Sequence, residues 1–333
     1  MLNRDKSIDF LRGTAILFMT ITHVNALYYQ GSNEIMHFFT TIGATICFSI
    51  FLFCSSYIIG LKIKAGKEIS KRKVLVKSFK TYLVYILISL LVLITYYKQF
   101  SVKNLFEIIF IINPPEFAEF LISLSIFNLL TILLIKHLKR IIRRPLLVIS
   151  STIFLFIIGN LMYKVTTSMS FVAPIQILIE NLWGYGNLHR FPIFFYFPIY
   201  ILGILLAQYS SQRIKLILST ASVLLILFLN YFNLSFWYRW PPSVLFLTYG
   251  IGYISLIMYI ANKYFNSYGN HLLKIIAGIG KYPLQQFVLS TVLIFLPLFF
   301  LQPSSDTFIA LTINSLVILA LSLYPIVFHS KMV

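Results

Sequence analysis

Ten stretches of about 17 to 26 residues carry almost only apolar side chains, and they decide what this chain can fold into. They run over 8–29, 36–61, 81–97, 116–135, 146–163, 191–208, 214–232, 243–262, 284–301 and 307–328. A run of about 20 apolar residues is the length of a helix that crosses a bilayer. Hydrophobic residues make up 59% of the 333 positions and charged residues 11%, against about 45–50% and about 25% in a soluble domain. A water-soluble globule is excluded, and so is a disordered chain, whose composition would be the reverse. The first run holds Arg12 and is followed by Tyr28, Tyr29 and Gln30 rather than a small-residue cleavage site, so it reads as a retained helix. Two further stretches, 105–112 before Asn113-Pro114-Pro115 and 171–182 after Pro174, are too short to span and read as interfacial or re-entrant segments. With the rest of 164–190 they would shape a vestibule on the extracytoplasmic side. No repeat or linker divides residues 1–333. The expected fold is a single-domain, all-α polytopic integral membrane protein with about ten transmembrane helices.

The formal net charge of +18 looks like an invitation to an acidic partner until it is divided by topology. An even number of spans with both termini cytoplasmic puts 22 of the 27 Lys and Arg residues inside, against 3 of the 9 acidic residues. Cytoplasmic loops of membrane proteins carry such an excess of cations. The charge therefore reports orientation, and nucleic acid is not among the expected partners. A bacterial plasma membrane is the simplest setting.

Cys47 and Cys54 lie seven apart on one helix, too far for a disulfide, and read as small apolar residues. No His, Cys, Asp and Glu cluster has metal-ligand spacing, so no metal is expected. There is no phosphate-cradling Gly-rich loop and no serine-nucleophile elbow. Ionisable groups inside a span are costly and mark function by default. The first helix has three: Asp9, Arg12 and His23. Asp9 and Arg12, three apart, can pair. Arg12 and His23, eleven apart, share a helix face yet stand about 16 Å apart along the axis. That arrangement suits one elongated ligand held at an anionic end and attacked near the other. His37 at the outer end of the second run could meet His23 across a helical hairpin, or simply be interfacial.

Ser7-Ile-Asp-Phe-Leu-Arg-Gly13, leading to His23, resembles the opening of the membrane acyltransferase type 3 superfamily, marked by Arg-x10-His in its first helix. Ile50-Phe-Leu-Phe-Cys-Ser-Ser-Tyr-Ile-Ile-Gly60 is similar to the second-helix pattern of that superfamily, and Arg190-Phe-Pro through Gly203 to a later one. Arg239-Trp-Pro-Pro-Ser243 and Gly280-Lys-Tyr-Pro-Leu284 resemble the heparan-α-glucosaminide acetyltransferase-like branch. The likeness runs from the first helix to the ninth. Two positions depart from it: Ser290 stands where related branches place His, and Tyr196 where Trp is common.

The resemblance implies acetyl transfer from cytoplasmic acetyl-CoA, a co-substrate rather than a bound cofactor, to an extracytoplasmic carbohydrate. Arg12 with Lys71, Arg72 and Lys73 of the basic 62–80 loop would hold the CoA phosphates, since cations pair with phosphate and Arg does so through a planar fork. His23 would act as general base, with an acyl-histidine as the covalent alternative and His37 as its candidate assistant. His189, Arg190, Trp237 and Arg239 are the candidate acceptor residues, although His189-Arg190 also suits a helix entry and Trp an interfacial belt. Gln285 and Gln286 could contact CoA or bond across helices. A glycan exporter and a catalytically silent scaffold are the rival readings.

Overall fold

The computed structural model describes residues 4–184, 191–209, 211–232, 241–267 and 271–329. These residues form thirteen α-helices: α1 (Lys6–Tyr28), α2 (Glu34–Lys64), α3 (Lys71–Thr95), α4 (Val102–Ile109), α5 (Glu119–Ile141), α6 (Pro145–Thr166), α7 (Ala173–Trp183), α8 (Ile193–Tyr209), α9 (Gln212–Tyr231), α10 (Val244–Ser267), α11 (His271–Lys281), α12 (Pro283–Phe295) and α13 (Thr307–His329). Local chemistry sets their starts. Asp5, Ser70, Ser101 and Ser211 each accept a hydrogen bond from an otherwise orphaned N–H in the first turn of α1, α3, α4 and α9. Pro145, Pro174 and Pro283, which need no hydrogen-bond partner there, open α6, α7 and α12.

Among the described residues, eight helices are long and apolar enough to cross a membrane, and nine if the bent pair α11–α12 is one span. The chain is an all-helical integral membrane protein. The short α8, 17 residues, reaches about 26 Å, slightly less than the roughly 30 Å hydrocarbon core. The two segments too short to span are α4 and α7, of 8 and 11 residues.

Two expectations change. The basic 62–80 stretch is mostly not a loop. Helix α2 continues to Lys64 and α3 begins at Lys71, leaving a short turn through Gly66, whose φ of +63° suits glycine. Apolarity marks where a helix is buried in lipid; capping by Ser70 marks where this one starts. The stretch ahead of the ninth run is also more than a connection, since α11 occupies His271–Lys281. Helices α11 and α12 meet at 91°. Tyr282 precedes Pro283, whose ring disfavours helical backbone at the preceding residue, and Tyr282 has left the helical region at φ −126°, ψ 62°.

The chain forms two compact units, each drawn from separate stretches. The first comprises Met1–Cys54, Ser211–Phe232 and Thr248–Val333. In it α1 packs against α11, α12 and α13. A methyl group on Gly280 would lie 2.5 Å from the Gly13 nitrogen and 2.8 Å from the Asp9 carbonyl carbon. The backbones of α1 and α11 therefore touch, as small residues allow in membrane helices. Neither cysteine forms a disulfide, and their thiols face carbonyls of α1: Cys47 Sγ lies 3.3 Å from Ala15 O and Cys54 Sγ 4.0 Å from Ile8 O.

The second unit comprises Ser55–Ser210 and Asn233–Leu247. Here α3 packs on α5, α6 on α8, and α7 on both α6 and α8. Hydroxyls knit the helices: Ser78 with Ser125 at 2.7 Å, Thr131 with Tyr200 at 2.6 Å, and Ser123 donating to Phe191 O at 2.8 Å. Gly60 of α2 abuts Ala207 of α8, and Gln208 donates to Gly60 O at 2.7 Å. The outer face of α6 shows large apolar side chains such as Phe154 and Leu161 to the lipid.

Candidate active site on the first helix

Helix α1 lies inside the first unit and carries Asp9, Arg12 and His23. Asp9 is 6% exposed, so its charge requires partners. It has two. Arg12 approaches to 3.7 Å, the pair read from their spacing, and Arg4 pairs with the same carboxylate. One Arg4 nitrogen bonds Asp9 Oδ1 at 3.0 Å, and also donates to Lys281 O at 2.7 Å. That carbonyl ends α11, where helix carbonyls lack backbone partners and favour a cation. Arg4 is the residue that sequence reasoning missed. It precedes the apolar run, so only the fold shows that it shares Asp9. The result is a two-arginine, one-carboxylate cluster with net charge +1, in which the side chain of Arg12 stays 15% exposed.

His23 lies on α1 about three turns from Arg12. It is half-buried, with Nδ1 shielded from solvent. The helix end around it is held by polar contacts rather than apolar packing alone. Thr22 Oγ1 donates to Phe18 O at 2.8 Å and lies 3.3 Å from Thr40 O. Asn25 donates to Met36 O at 3.1 Å and to Thr40 Oγ1 at 3.0 Å, and accepts from Asn314 of α13 at 3.1 Å. Asn25 and Asn314 were missed as well. The signal was available, since a lone Asn in an apolar span asks for a partner. The α1–α2 hairpin is thus real. His37 sits exposed on α2, next to the Met36 whose carbonyl Asn25 holds.

The remaining candidates divide. Lys71, Arg72 and Lys73 form the exposed first turn of α3, in the second unit. His189, Arg190, Trp237 and Arg239 lie outside the described residues. Gln286 bonds across helices: its amide donates to Leu321 O at 3.1 Å. Leu321 lacks its usual helical donor because Pro325, four residues on, has no N–H. Ser290 is buried and donates to Phe287 O at 2.8 Å within its own helix. Gly280-Lys-Tyr-Pro-Leu284 acts structurally, with Gly280 for the close approach to α1 and Pro283 for the bend.

Chemically, α1 offers an anion-attracting cluster at one end and an imidazole at the other, in a membrane-embedded setting. No curated protein and no solved structure matched the chain. Residues 4–242 match the family described as heparan-alpha-glucosaminide N-acetyltransferase, catalytic. The matched stretch takes in Arg4, Asp9, Arg12 and His23 and ends before α10, so Gly280 and Pro283 lie beyond it. The match covers well over half of the sequence, and the chain belongs to the heparan-α-glucosaminide N-acetyltransferase catalytic family.

Proposed function

We propose that the protein transfers an acetyl group across the membrane, from acetyl-CoA on the cytoplasmic side to a hydroxyl or amine of an extracytoplasmic carbohydrate. The observation that carries this is the content of α1: within the family-matched region, Arg12, paired with Asp9 and its second partner Arg4 just ahead of the helix, and His23 lie on one helix, about 16 Å apart. CoA has the matching shape, with phosphates at one end of an extended arm and the thioester at the other. Arg12 receives the phosphates through its planar fork of donors. His23 accepts the proton of the acceptor as its oxygen or nitrogen attacks the thioester carbonyl. The carbon–sulfur bond then breaks, and the leaving thiolate takes up a proton to give CoA. The arginine and histidine spacing also supports a place within the wider type 3 acyltransferase superfamily.

A sided assay tests the proposal. In proteoliposomes, labelled acetyl-CoA supplied to the face bearing Lys71–Lys73 should yield labelled carbohydrate on the opposite face. Label on the same face as the donor would overturn transmembrane transfer. Export of a glycan is the second reading, favoured by the 91° break between α11 and α12, because transporters use broken helices. Carbohydrate crossing the bilayer without acetyl-CoA would favour export.

A further inference from the structure

The second unit carries a groove that the proposed chemistry does not use. It measures about 160 Å³ and lies between α5, α6 and α8, lined by His137, Ile142, Ser151, Leu155, Phe197 and Ile201 among others. Its lining is almost wholly apolar, and the one serine is internally satisfied through Val148 O at 2.9 Å. From Val148 to Leu155 on α6, and from Leu134 to Ile142 on α5, the lining residues extend roughly 10 to 12 Å along the helices. Such a slot takes a stretch of one hydrocarbon chain.

One end of the groove is strongly basic. Residues 136–144 contain Lys136, Lys139, Arg140, Arg143 and Arg144 and no acid. All five are exposed, and none belongs to an ion pair among the described residues. Ile142, which lines the groove, directly precedes Arg143 and Arg144, and its carbonyl is pinned by the Tyr209 hydroxyl at 2.8 Å. The neighbouring flank faces lipid: Leu133 is 71% and Leu146 79% exposed. An apolar slot open to lipid, with a cluster of unpaired cations at its cytoplasmic mouth, is complementary to a molecule with a hydrocarbon chain and an anionic head.

We propose that this flank is a binding site for one anionic phospholipid of the cytoplasmic leaflet, its acyl chain in the groove and its phosphate on Arg143 and Arg144. The site is independent of acetyl transfer. Juxtamembrane cations attract anionic lipid strongly enough that two of them give a preference of about tenfold or more.

The full chain, purified in detergent, is titrated with phosphatidylglycerol or phosphatidylcholine, and bound lipid is counted by native mass spectrometry. Phosphatidylglycerol should be retained about tenfold better. R143Q/R144Q should lose that preference, whereas K71Q/K73Q, which removes two charges elsewhere, should keep it. S151F, which fills the groove and leaves every charge in place, should weaken retention of phosphatidylglycerol. This variant keeps the test open if the arginines prove necessary for insertion. Inorganic phosphate at the same concentration should neither bind nor displace the lipid. Equal loss in K71Q/K73Q would mean diffuse attraction and overturn the site. So would an absent preference, indifference to S151F, or competition by phosphate alone.

Discussion

Replacing Gly280 by alanine probes the contact on which the α1 cluster rests. The added methyl would stand 2.8 Å from the Asp9 carbonyl carbon and closer still to its oxygen. Carbon atoms prefer about 3.5–4.0 Å, so α1 and α11 must part by about 1 Å. The atoms met are backbone, which cannot swing aside as a flexible side chain would. Overpacking of this kind costs about 1–3 kcal/mol, or roughly 1.5 to 4 °C in midpoint for a chain of this size. Gly278 supplies the control two residues away. Its methyl would meet only Pro325, at 3.9 Å, an ordinary contact. Alanine there should be neutral or slightly stabilising, since alanine favours helix by up to about 1 kcal/mol over glycine. The assay is the thermal midpoint of each purified variant in the same detergent, together with the KM for acetyl-CoA. G280A should melt lower and, because Arg4 loses its carbonyl on α11 and Asp9 shifts, show a raised KM. Equal midpoints for G280A and G278A would refute the backbone contact.

Three further outcomes are expected. Gln286→Leu leaves Leu321 O without a partner and should cost about 1–3 kcal/mol, whereas adding Pro325→Ala restores the helical donor and should recover most of that midpoint. Asp9→Asn frees Arg4 and Arg12 from their shared carboxylate, so the KM for acetyl-CoA should rise several-fold with kcat little changed. A matching fall in kcat would place Asp9 in the chemical step instead. His23→Gln, which keeps a polar side chain but cannot take the acceptor's proton, should cost at least about a hundredfold in transfer; transfer at the parent rate would remove the base role.

Much of the fold is legible in the sequence because the bilayer imposes a length on apolar runs, and each of the ten runs lies on a helix. Ends are less legible. The run at 81–97 understates α3 by ten residues at its start, since a serine cap and not hydrophobicity begins that helix. Helix α11 falls in none of the ten runs, because His271, Lys274, Gly278, Gly280 and Lys281 interrupt its apolarity. Yet Leu272, Ile275, Ile276 and Ile279 recur at helical spacing, and that periodicity was the signal to follow. Within the candidate site, the Asp9–Arg12 pair was readable because it is local. Arg4 on Lys281 O and Asn25 with Asn314 join residues 277 and 289 apart, and no spacing rule reaches that far.

The central claim is that His23 takes the acceptor's proton while the arginine cluster holds the donor. The most direct measurement sets acetyl transfer by His23→Ala beside its binding of acetyl-CoA, in the same proteoliposomes as the parent protein. Transfer should fall by at least about a hundredfold, the contribution of a positioned general base, while the Kd for acetyl-CoA stays within about twofold. Transfer at the parent rate by the inserted variant would contradict the account.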